Sequence, residues 1–348
     1  MGDEVLIGYS FWGFLGPGVV DTPDGGRSHR RPLVDGLRQA GHDIVFLQPN
    51  RDLCDAGLDL TGSYRWDAGI PNLDALFLEW RWPIPGRNTL PCGGPGHTCD
   101  LHRQAELVTH YTHRLGTPTI LWDKDRRLDP ADPLRQRVNV TVCEPALHPS
   151  PGATTLLFPV ADTILDAADP DKLAAQRRSM PLVYVGNQYD RDDAFDTFFA
   201  PAAMDLPHLI AGKWPDSRRW PDLNFIGRIS FPQVAEIHAD ALATVLLLPE
   251  RYAQAGQITQ RIFEAVLAGC APLLPTTVCG AAELVPASLH VRQATDVRDR
   301  VGWLAEIVGT SDHADLIADC LRRLDPFRLS NQLGVLDRLL HHPDPAPS

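Results

Sequence analysis

Residues 256–269 read GQITQRIFEAVLAG, and their apolar side chains recur at the spacing of one buried helical face. Gly269 is expected to end this helix, and the APLLP that follows at 271–275 is typical of a short buried strand. Gly256 is expected just before the first turn, where unpaired backbone N–H groups can face an anion. The segment therefore predicts an amphipathic helix with an anion-binding start, followed by a strand.

Two charged side chains on this helix indicate a ligand. Arg261 and Glu264 are three residues apart, so they share a face, and it is not the apolar one. The planar fork of an arginine suits a diphosphate, and a carboxylate can accept hydrogen bonds from both hydroxyls of a ribose. With Gly256, Gln257 and Thr259 at the helix start, they form a predicted nucleotide-diphosphate site. The alternative is a helix that carries only a surface ion pair.

The elements around this helix follow an ordered series. A strand ending in glycine at 224–227 precedes a helical pattern at 234–241, a hydrophobic strand at 243–249 and the helix with Arg-x-x-Glu. This order resembles the C-terminal half of the GT-B glycosyltransferases, which use nucleotide-activated sugars. Spore-maturation-like members carry the same Arg-x-x-Glu, followed by Ala-x-x-Ala-Gly. The resemblance implies that Arg261 holds the diphosphate and Glu264 the ribose of a nucleotide sugar, expected to be UDP-linked.

The chain departs from that class at two positions. Many retaining members have a second glutamate eight residues before the ribose-binding one, where this chain has Gly256. Whether the transfer inverts or retains configuration is therefore left open. GT-B enzymes also often place a basic residue after the first strand of the second domain, but Asn187 stands there and Arg191 is expected to substitute for it. Arg228, after the strand at 224–227, is a further phosphate candidate, with plain surface charge as its alternative.

Length and composition predict a two-domain soluble protein. The chain has 348 residues, of which 44% are hydrophobic and 22% charged, and no apolar run reaches the ~18 residues of a membrane span. Seven cysteines, an odd number, do not indicate a secreted disulfide framework, so the cytoplasm is the expected location. The formal charge of −12 argues against a protein that binds polyanions over its whole surface.

The first half of the chain alternates strands and helices. A strand at 4–9, a helix at 28–40 and a second strand at 43–47 favour a parallel sheet. We expect an α/β protein with two Rossmann-like domains facing one another across a cleft. The predicted domains are 1–165 for the acceptor and 175–330 for the nucleotide sugar, joined through 161–181. Residues 331–348 are expected to be a tail or a helix that returns to the first domain.

Two carboxylates at predicted strand ends are candidate general bases. Glu79 ends the strand at 74–79, and Asp123 follows the strand at 119–122. A base at such a place could take the proton of an acceptor hydroxyl. The alternative for Glu79 is an ion pair with Arg81 or Arg87 that supports the following loop.

A cluster of cysteine and histidine residues lies between those strands. Its members fall within eleven residues, and they are Cys92, His97, Cys99 and His102. Such side chains could close on Zn²⁺ in a tetrahedron, although the spacing fits no standard zinc finger. A disulfide and unliganded loop residues are the alternatives.

The resulting prediction is a glycosyltransferase that moves a sugar from a nucleoside-diphosphate sugar to a hydroxyl on a small-molecule acceptor. No metal or other cofactor is required, because arginines and a helix dipole can stabilise the leaving diphosphate. One alternative is a phage-type enzyme that glycosylates a modified DNA base, in which arginine clusters at 27–31, 80–82 and 126–127 would contact phosphates. Another is a nucleotide-binding protein without catalysis.

Overall fold

A computed structural model of the chain describes residues 4–19 and 26–341. The chain forms two compact units, each with its own parallel β-sheet. Among the described residues the first unit comprises 4–18, 30–157 and 330–341, and the second comprises 19, 26–29 and 158–329. The prediction of an α/β fold with two Rossmann-like domains is confirmed.

The first unit is built on a seven-stranded sheet in the order β3-β2-β1-β4-β5-β6-β7. Every pair of neighbouring strands is parallel. The order reverses between β1 and β4, which makes their carboxyl ends a topological switch point, the usual place for a ligand in such sheets. The strands are β1 Leu6–Ser10, β2 Asp43–Phe46, β3 Arg65–Trp66, β4 Ala75–Glu79, β5 Thr119–Trp122, β6 Val140–Glu144 and β7 Thr154–Thr155.

The helices of the first unit connect these strands. The helix Asp100–Leu107 continues without interruption as a π-helical stretch, Val108–Leu115. Its buried side chains pack on the middle of the sheet, among Leu76, Leu78 and Leu121. The other helical segments are Arg51–Ala56 and Pro133–Gln136, and the helices Gly26–Gln39 and Leu329–His341 belong to this unit from Arg30 and Ser330 onward.

The second unit has a six-stranded sheet in the order β10-β9-β8-β11-β12-β13, again parallel throughout. Here the order reverses between β8 and β11. The strands are β8 Met180–Val185, β9 His208–Ala211, β10 Phe225–Gly227, β11 Ala241–Val245, β12 Ala271–Pro275 and β13 His290–Val291. The helical segments are Asp162–Asp166, Pro170–Ala174, Asp192–Ala194, Phe195–Phe199, Ala200–Ala203, Ser217–Arg219, Phe231–Ala239, Glu250–Ala255, Arg261–Leu267, Ala281–Leu284, Ala287–Leu289, Ala294–Ile307, Ser311–Arg322 and Asp325–Phe327.

The division between the units differs from the expected boundaries. The main segment of the first unit ends at Leu157 rather than near 165. The chain leaves the first sheet after β7, and the N–H and C=O of Val160 then bond to the backbone of Phe327 and Leu329 in the second unit. The expected connection at 161–181 also belongs to the second unit. It contains two short helices, Asp162–Asp166 and Pro170–Ala174. The second is attached to the second unit because its Leu173 packs against apolar side chains of the helix Ser311–Arg322.

The last helix also extends the first unit beyond its expected limits. Over its described part, the predicted tail or return helix at 331–348 is the helix Leu329–His341, and residues 342–348 lie outside the described residues. From Ser330 onward this helix is part of the first unit. In the described parts of the chain, no helix combines the length and hydrophobicity needed to cross a bilayer.

Candidate functional site

A pocket in the second unit lies where β8 and β11 end, at the switch point of that sheet. Ligands of open α/β sheets bind in this crevice because the diverging loops leave space there. The pocket contains three of the predicted donor-binding residues, Arg191, Thr259 and Arg261. Its lining consists of Tyr184, Val185, Gly186, Asn187, Tyr189, Arg191, Thr244, Val245, Leu246, Leu247, Leu248, Ile258, Thr259, Gln260 and Arg261. We call it the second-unit pocket.

The predicted Arg261 and Glu264 pair is present and largely buried. The Arg261 guanidinium donates to the Glu264 carboxylate, and the two side chains are 14% and 11% exposed. The hydroxyl of Ser28 donates to the other carboxylate oxygen. A surface ion pair would be far more exposed, so this carboxylate is held in one orientation beside the pocket-lining arginine.

The predicted helix start at Gly256 is wrong. Gly256 instead ends the preceding helix Glu250–Ala255 in a left-handed conformation, with φ of 61°, and its N–H bonds to the carbonyls of that helix. The N–H of the fully buried Gln257 donates to Tyr252 O, and the next helix begins only at Arg261. Neither N–H group is therefore available to an anion. The pocket-lining part of this segment is 258–261.

The two additional arginines have different positions. Arg191 lines the second-unit pocket, where its guanidinium donates to the carbonyls of Tyr189 at 2.6 Å and Leu247 at 3.1 Å. Arg228 is exposed just after β10, the edge strand, and β9 separates that strand from β8. The structure brings Arg191 and Arg261 to the same pocket and leaves Arg228 outside its lining.

A buried histidine lies near Arg261. His238 has no exposed surface, and neither of its ring nitrogens has a hydrogen-bond partner in the part of the chain that the structure describes. Burial, and secondarily the positive charge of Arg261, lowers the pKa of His238 to about 3. The imidazole is therefore neutral in the folded protein at neutral pH.

Mild acid is expected to destabilise the fold through His238. The folded pKa of about 3 lies below the ordinary value of 6.5, so between them the unfolded chain binds a proton that the folded chain does not. This contribution to stability is complete above pH 6.5 and declines as the pH falls toward 3. From pH 6.5 to 5 the loss should be about 2 kcal/mol. Denaturant unfolding of the wild type and His238→Leu at both pH values measures it, and an unchanged pH dependence in the variant would contradict it.

The first unit has a pocket of its own at the carboxyl ends of β4 and β5. Three tryptophans and several charged groups form its walls, and the lining is Trp12, Glu79, Trp80, Arg81, Trp82, Ile84, Arg87, Lys124 and Asp125. The guanidinium of Arg51 lies 3.9 Å from the ring centre of Trp12, and that of Arg127 lies 4.8 Å from the ring centre of Trp82. We call it the first-unit pocket. Its aromatic and cationic walls suit a flat ligand.

The Glu79 carboxylate is the centre of a buried ion-pair network. Glu79 is 2% exposed and accepts from Tyr9 Oη at 2.8 Å and from Arg30 Nε and Nη2 at 2.6 and 2.7 Å. Lys124 Nζ lies 2.5 Å from its second oxygen. Burial, and then the adjacent carboxylate, raises the pKa of Tyr9, so the phenol stays protonated and donates. With both oxygens already engaged, Glu79 is poorly placed to accept a proton from an acceptor.

The two arginines that the alternative interpretation paired with Glu79 bind other groups in the structure. The Arg81 Nη2 donates to Ser10 Oγ at 3.0 Å, and the Arg87 Nη2 donates to Asp100 at 3.1 Å. Arg30, which the sequence offered as a phosphate contact, takes the place beside Glu79 instead. The partner lies 49 positions away in sequence, and no local pattern indicates it.

The second predicted base, Asp123, is fully buried and supports a turn. Its two oxygens accept from the backbone N–H groups of Arg127 at 2.9 Å and Leu128 at 2.8 Å. Burial raises the pKa of Asp123, and these backbone bonds oppose the increase. Asp125, two residues later, is partly exposed and lines the first-unit pocket. Sequence reasoning missed it, because the carboxylate that directly follows the strand drew the prediction.

Most arginines that the DNA hypothesis assigned to phosphates are engaged inside the protein. Arg27, Arg30 and Arg81 are buried. The Arg126 guanidinium pairs with the buried Glu144 carboxylate. Arg127 is exposed and lies over an aromatic ring of the first-unit pocket, and Arg31 is exposed as well but pairs with Asp35 on its own helix.

The four predicted metal ligands come together in the loop after β4 and in the first turn of the helix that follows it. One possible ligand atom from each of Cys92, His97, Cys99 and His102 lies within 4.8 Å of all the others. The Cys92 Sγ and His102 Nδ1 atoms are 3.1 Å apart, and His97 Nε2 and Cys99 Sγ are 3.0 Å apart. Both cysteines are free thiols.

No protein-family model and no curated protein sequence matches this chain. Its fold is similar to that of β-glucosyltransferase, a DNA-modifying enzyme solved with and without uridine diphosphoglucose, with a TM-score of 0.63 at 13% identity over 96% of this chain and 98% of the other. AviGT4, a glycosyltransferase involved in avilamycin A biosynthesis, is similar with a TM-score of 0.56 at 15% identity, over 97% of this chain and 98% of the other. Anabaena HepE, solved with UDP-glucose, is similar with a TM-score of 0.56 at 10% identity, over 97% of this chain and 99% of the other. The fold implied by the GT-B resemblance is confirmed, whereas the likeness to the spore-maturation group stays a prediction.

Proposed function

We propose that this protein is a glycosyltransferase that uses a UDP-linked sugar as donor and a hydroxyl group as acceptor. The observation that carries the proposal is the second-unit pocket, where Arg191 and Arg261 line the crevice and Glu264 is held one helical turn beyond Arg261. Solved structures of similar fold contain UDP-glucose, which supports a uridine donor.

Each of these groups has a distinct role in donor binding. The Arg261 guanidinium binds the diphosphate, and Arg191 adds a second positive charge at the same pocket. The Glu264 carboxylate accepts hydrogen bonds from the ribose hydroxyls after exchanging its present contacts with Arg261 and Ser28. The Thr259 hydroxyl, also at the pocket, offers a neutral contact. The two cations stabilise the charge that develops on the leaving diphosphate.

The proposed chemistry does not require a metal ion, because arginines can neutralise the leaving group. A T4 phage β-glucosyltransferase structure, at 13% identity, contains UDP together with Mn²⁺. The binding experiment below therefore includes arms with a chelator and with Mn²⁺. Equal UDP affinity in both arms supports metal independence, and a strong gain with Mn²⁺ contradicts it.

In the first unit we propose Asp125 as the base that takes the proton of the acceptor hydroxyl. It is the carboxylate of the first-unit pocket that is partly exposed, whereas Glu79 is enclosed by cations. General-base catalysis requires the bound acceptor to place its hydroxyl within hydrogen-bond reach of the Asp125 carboxylate. This replaces Glu79 and Asp123 as the proposed catalytic group.

The second candidate function is glycosylation of a modified base in DNA. The aromatic walls of the first-unit pocket favour it, because Trp12 and Trp82 are partly exposed at the pocket and offer flat rings on which a base can stack. The fold similarity to a DNA-modifying glucosyltransferase points the same way. The formal charge of −12 and the buried arginines argue against an extended DNA surface. Binding to duplex DNA that falls steeply with salt would favour this acceptor over a small molecule.

Calorimetry of UDP and UMP binding tests the donor site. Glu264→Gln removes the charge that strengthens the ribose contact, so both ligands should bind roughly ten- to a hundredfold more weakly. Arg261→Lys keeps a positive charge but loses the planar fork of the guanidinium, so it should weaken the binding of UDP much more than that of UMP. Arg322→Lys is the matched control, since Arg322 also pairs with a carboxylate three residues away but is 68% exposed. Unchanged binding in Glu264→Gln would reduce the pair to a structural contact and remove the main support for the proposal.

A further inference from the structure

The loop between β4 and the helix Asp100–Leu107, together with the first turn of that helix, holds a group of thiol and imidazole side chains that the proposed reaction does not use. They are Cys92, His97, Cys99 and His102, and we call them the Cys₂His₂ cluster. Within residues 4–19 and 26–341 this is the sole group of three or more His, Cys, Asp or Glu side chains with ligand atoms this close together. It lies entirely in the first unit.

We propose that the Cys₂His₂ cluster binds one Zn²⁺ ion and that this ion fixes the loop bordering the first-unit pocket. In a tetrahedral zinc site with Zn–S near 2.3 Å and Zn–N near 2.0–2.1 Å, neighbouring ligand atoms lie roughly 3.3–3.8 Å apart. The four ligand atoms here are all within 4.8 Å of one another, and two of the pairs are at 3.0 and 3.1 Å. Small side-chain rotations therefore suffice to place all four around one ion.

The loop is held in this form by interactions that do not involve the cluster. The carboxylate of Asp100, which is 5% exposed, accepts from Arg87 Nη2, Asn88 Nδ2 and Thr98 Oγ1. Glycines at 93 and 96 adopt left-handed conformations, with φ of 77° and 76°, that turn the chain back toward the helix. The cluster is thus assembled on a backbone fixed at both ends, which lowers the ordering cost of metal binding.

The donor set selects the metal. Two thiolates and two imidazoles favour Zn²⁺ over Mg²⁺ or Ca²⁺, which take oxygen ligands. All four positions of a tetrahedron are occupied by protein, so the ion has no open position for a substrate and its role is structural. The same loop carries Trp82 and Arg87 to the first-unit pocket. Binding of the ion should therefore order the acceptor side of that pocket.

Metal content of the wild-type protein, purified from zinc-supplemented medium, gives the first readout. We expect about one zinc per chain, falling to near zero in Cys99→Ser and in Cys92→Ser. Cys54→Ser is the matched control, because Cys54 is another exposed free thiol of the first unit, and it should keep its zinc. Chelation should speed proteolysis within residues 80–102, and added Zn²⁺ should reverse that change.

Cobalt gives a second readout that needs no variant. Adding Co²⁺ to chelator-treated wild-type protein should produce the visible absorption of a tetrahedral, thiolate-bound ion, which Zn²⁺ then removes. Protein that stays zinc-free after supplementation and gives no cobalt spectrum would overturn the proposal. A disulfide between Cys92 and Cys99, found by peptide mapping of protein purified without reductant, would overturn it as well. UDP binding does not depend on this loop, so either failure leaves the donor-site proposal intact.

Discussion

Replacing Glu79 by glutamine is expected to destabilise the protein by about 3–5 kcal/mol. The change keeps the shape of the side chain but leaves two neighbouring cations without their counter-ion. The Arg30 side chain is 1% exposed and that of Lys124 is 15% exposed, so water cannot replace the lost charge. Burial already lowers the pKa of Lys124, and Glu79 opposes that shift. Chemical denaturation monitored by tryptophan fluorescence measures the change.

Glu106→Gln is the control for that measurement. Glu106 is also paired with an arginine, three residues away at Arg103, but its side chain is 56% exposed. An exposed pair of this kind contributes about 0–1 kcal/mol, so the variant should unfold almost like the wild type. If Glu79→Gln were as stable as the control and lost only activity, Glu79 would return as a candidate base.

Asp125→Asn is expected to lower the rate of sugar transfer by roughly 10²- to 10⁴-fold, because the acceptor hydroxyl loses its general base. UDP affinity should not change, because Asp125 lines the first-unit pocket, whereas the proposed donor-binding residues belong to the second unit. The measurement is UDP release from UDP-glucose in the presence of hydroxyl acceptors, including small molecules and duplex DNA with hydroxymethylated bases. The acceptor with the highest wild-type turnover is then used for all variants.

Asp123→Asn separates catalysis from folding in the same assay. Its carboxylate accepts two backbone N–H bonds, of which an amide can replace one with its single acceptor oxygen. This variant should therefore lose stability while its folded fraction keeps the wild-type rate. Loss of rate in Asp123→Asn with full activity in Asp125→Asn would reverse the assignment. Tight UDP binding without turnover on any acceptor would instead favour the non-catalytic alternative.

The sequence by itself determined the fold class and part of the second-unit pocket. Strand and helix periodicity is a local property, because side chains a few residues apart share a face whatever surrounds them. The alternation of strands and helices in both halves therefore predicted two parallel sheets. The same reasoning placed Arg261 and Glu264 on one helical face, and the structure keeps them together. Local spacing misplaced the helix start, since Ile258 and Ile262 fit the apolar pattern whether or not the chain turns between them.

Only the tertiary structure decided which charged groups are internal and which line a pocket. Glu79 binds Arg30, which is 49 positions away along the chain, and Ser28 donates to Glu264, which is 236 positions away. Sequence spacing carries no information about contacts at such separations. Asp123 and Asp125 both follow the same strand, yet Asp123 is fully buried and Asp125 lines the first-unit pocket. The physical reason is that burial and electrostatic partners depend on which distant segments the fold packs together, whereas secondary structure depends on neighbours that the sequence already places side by side.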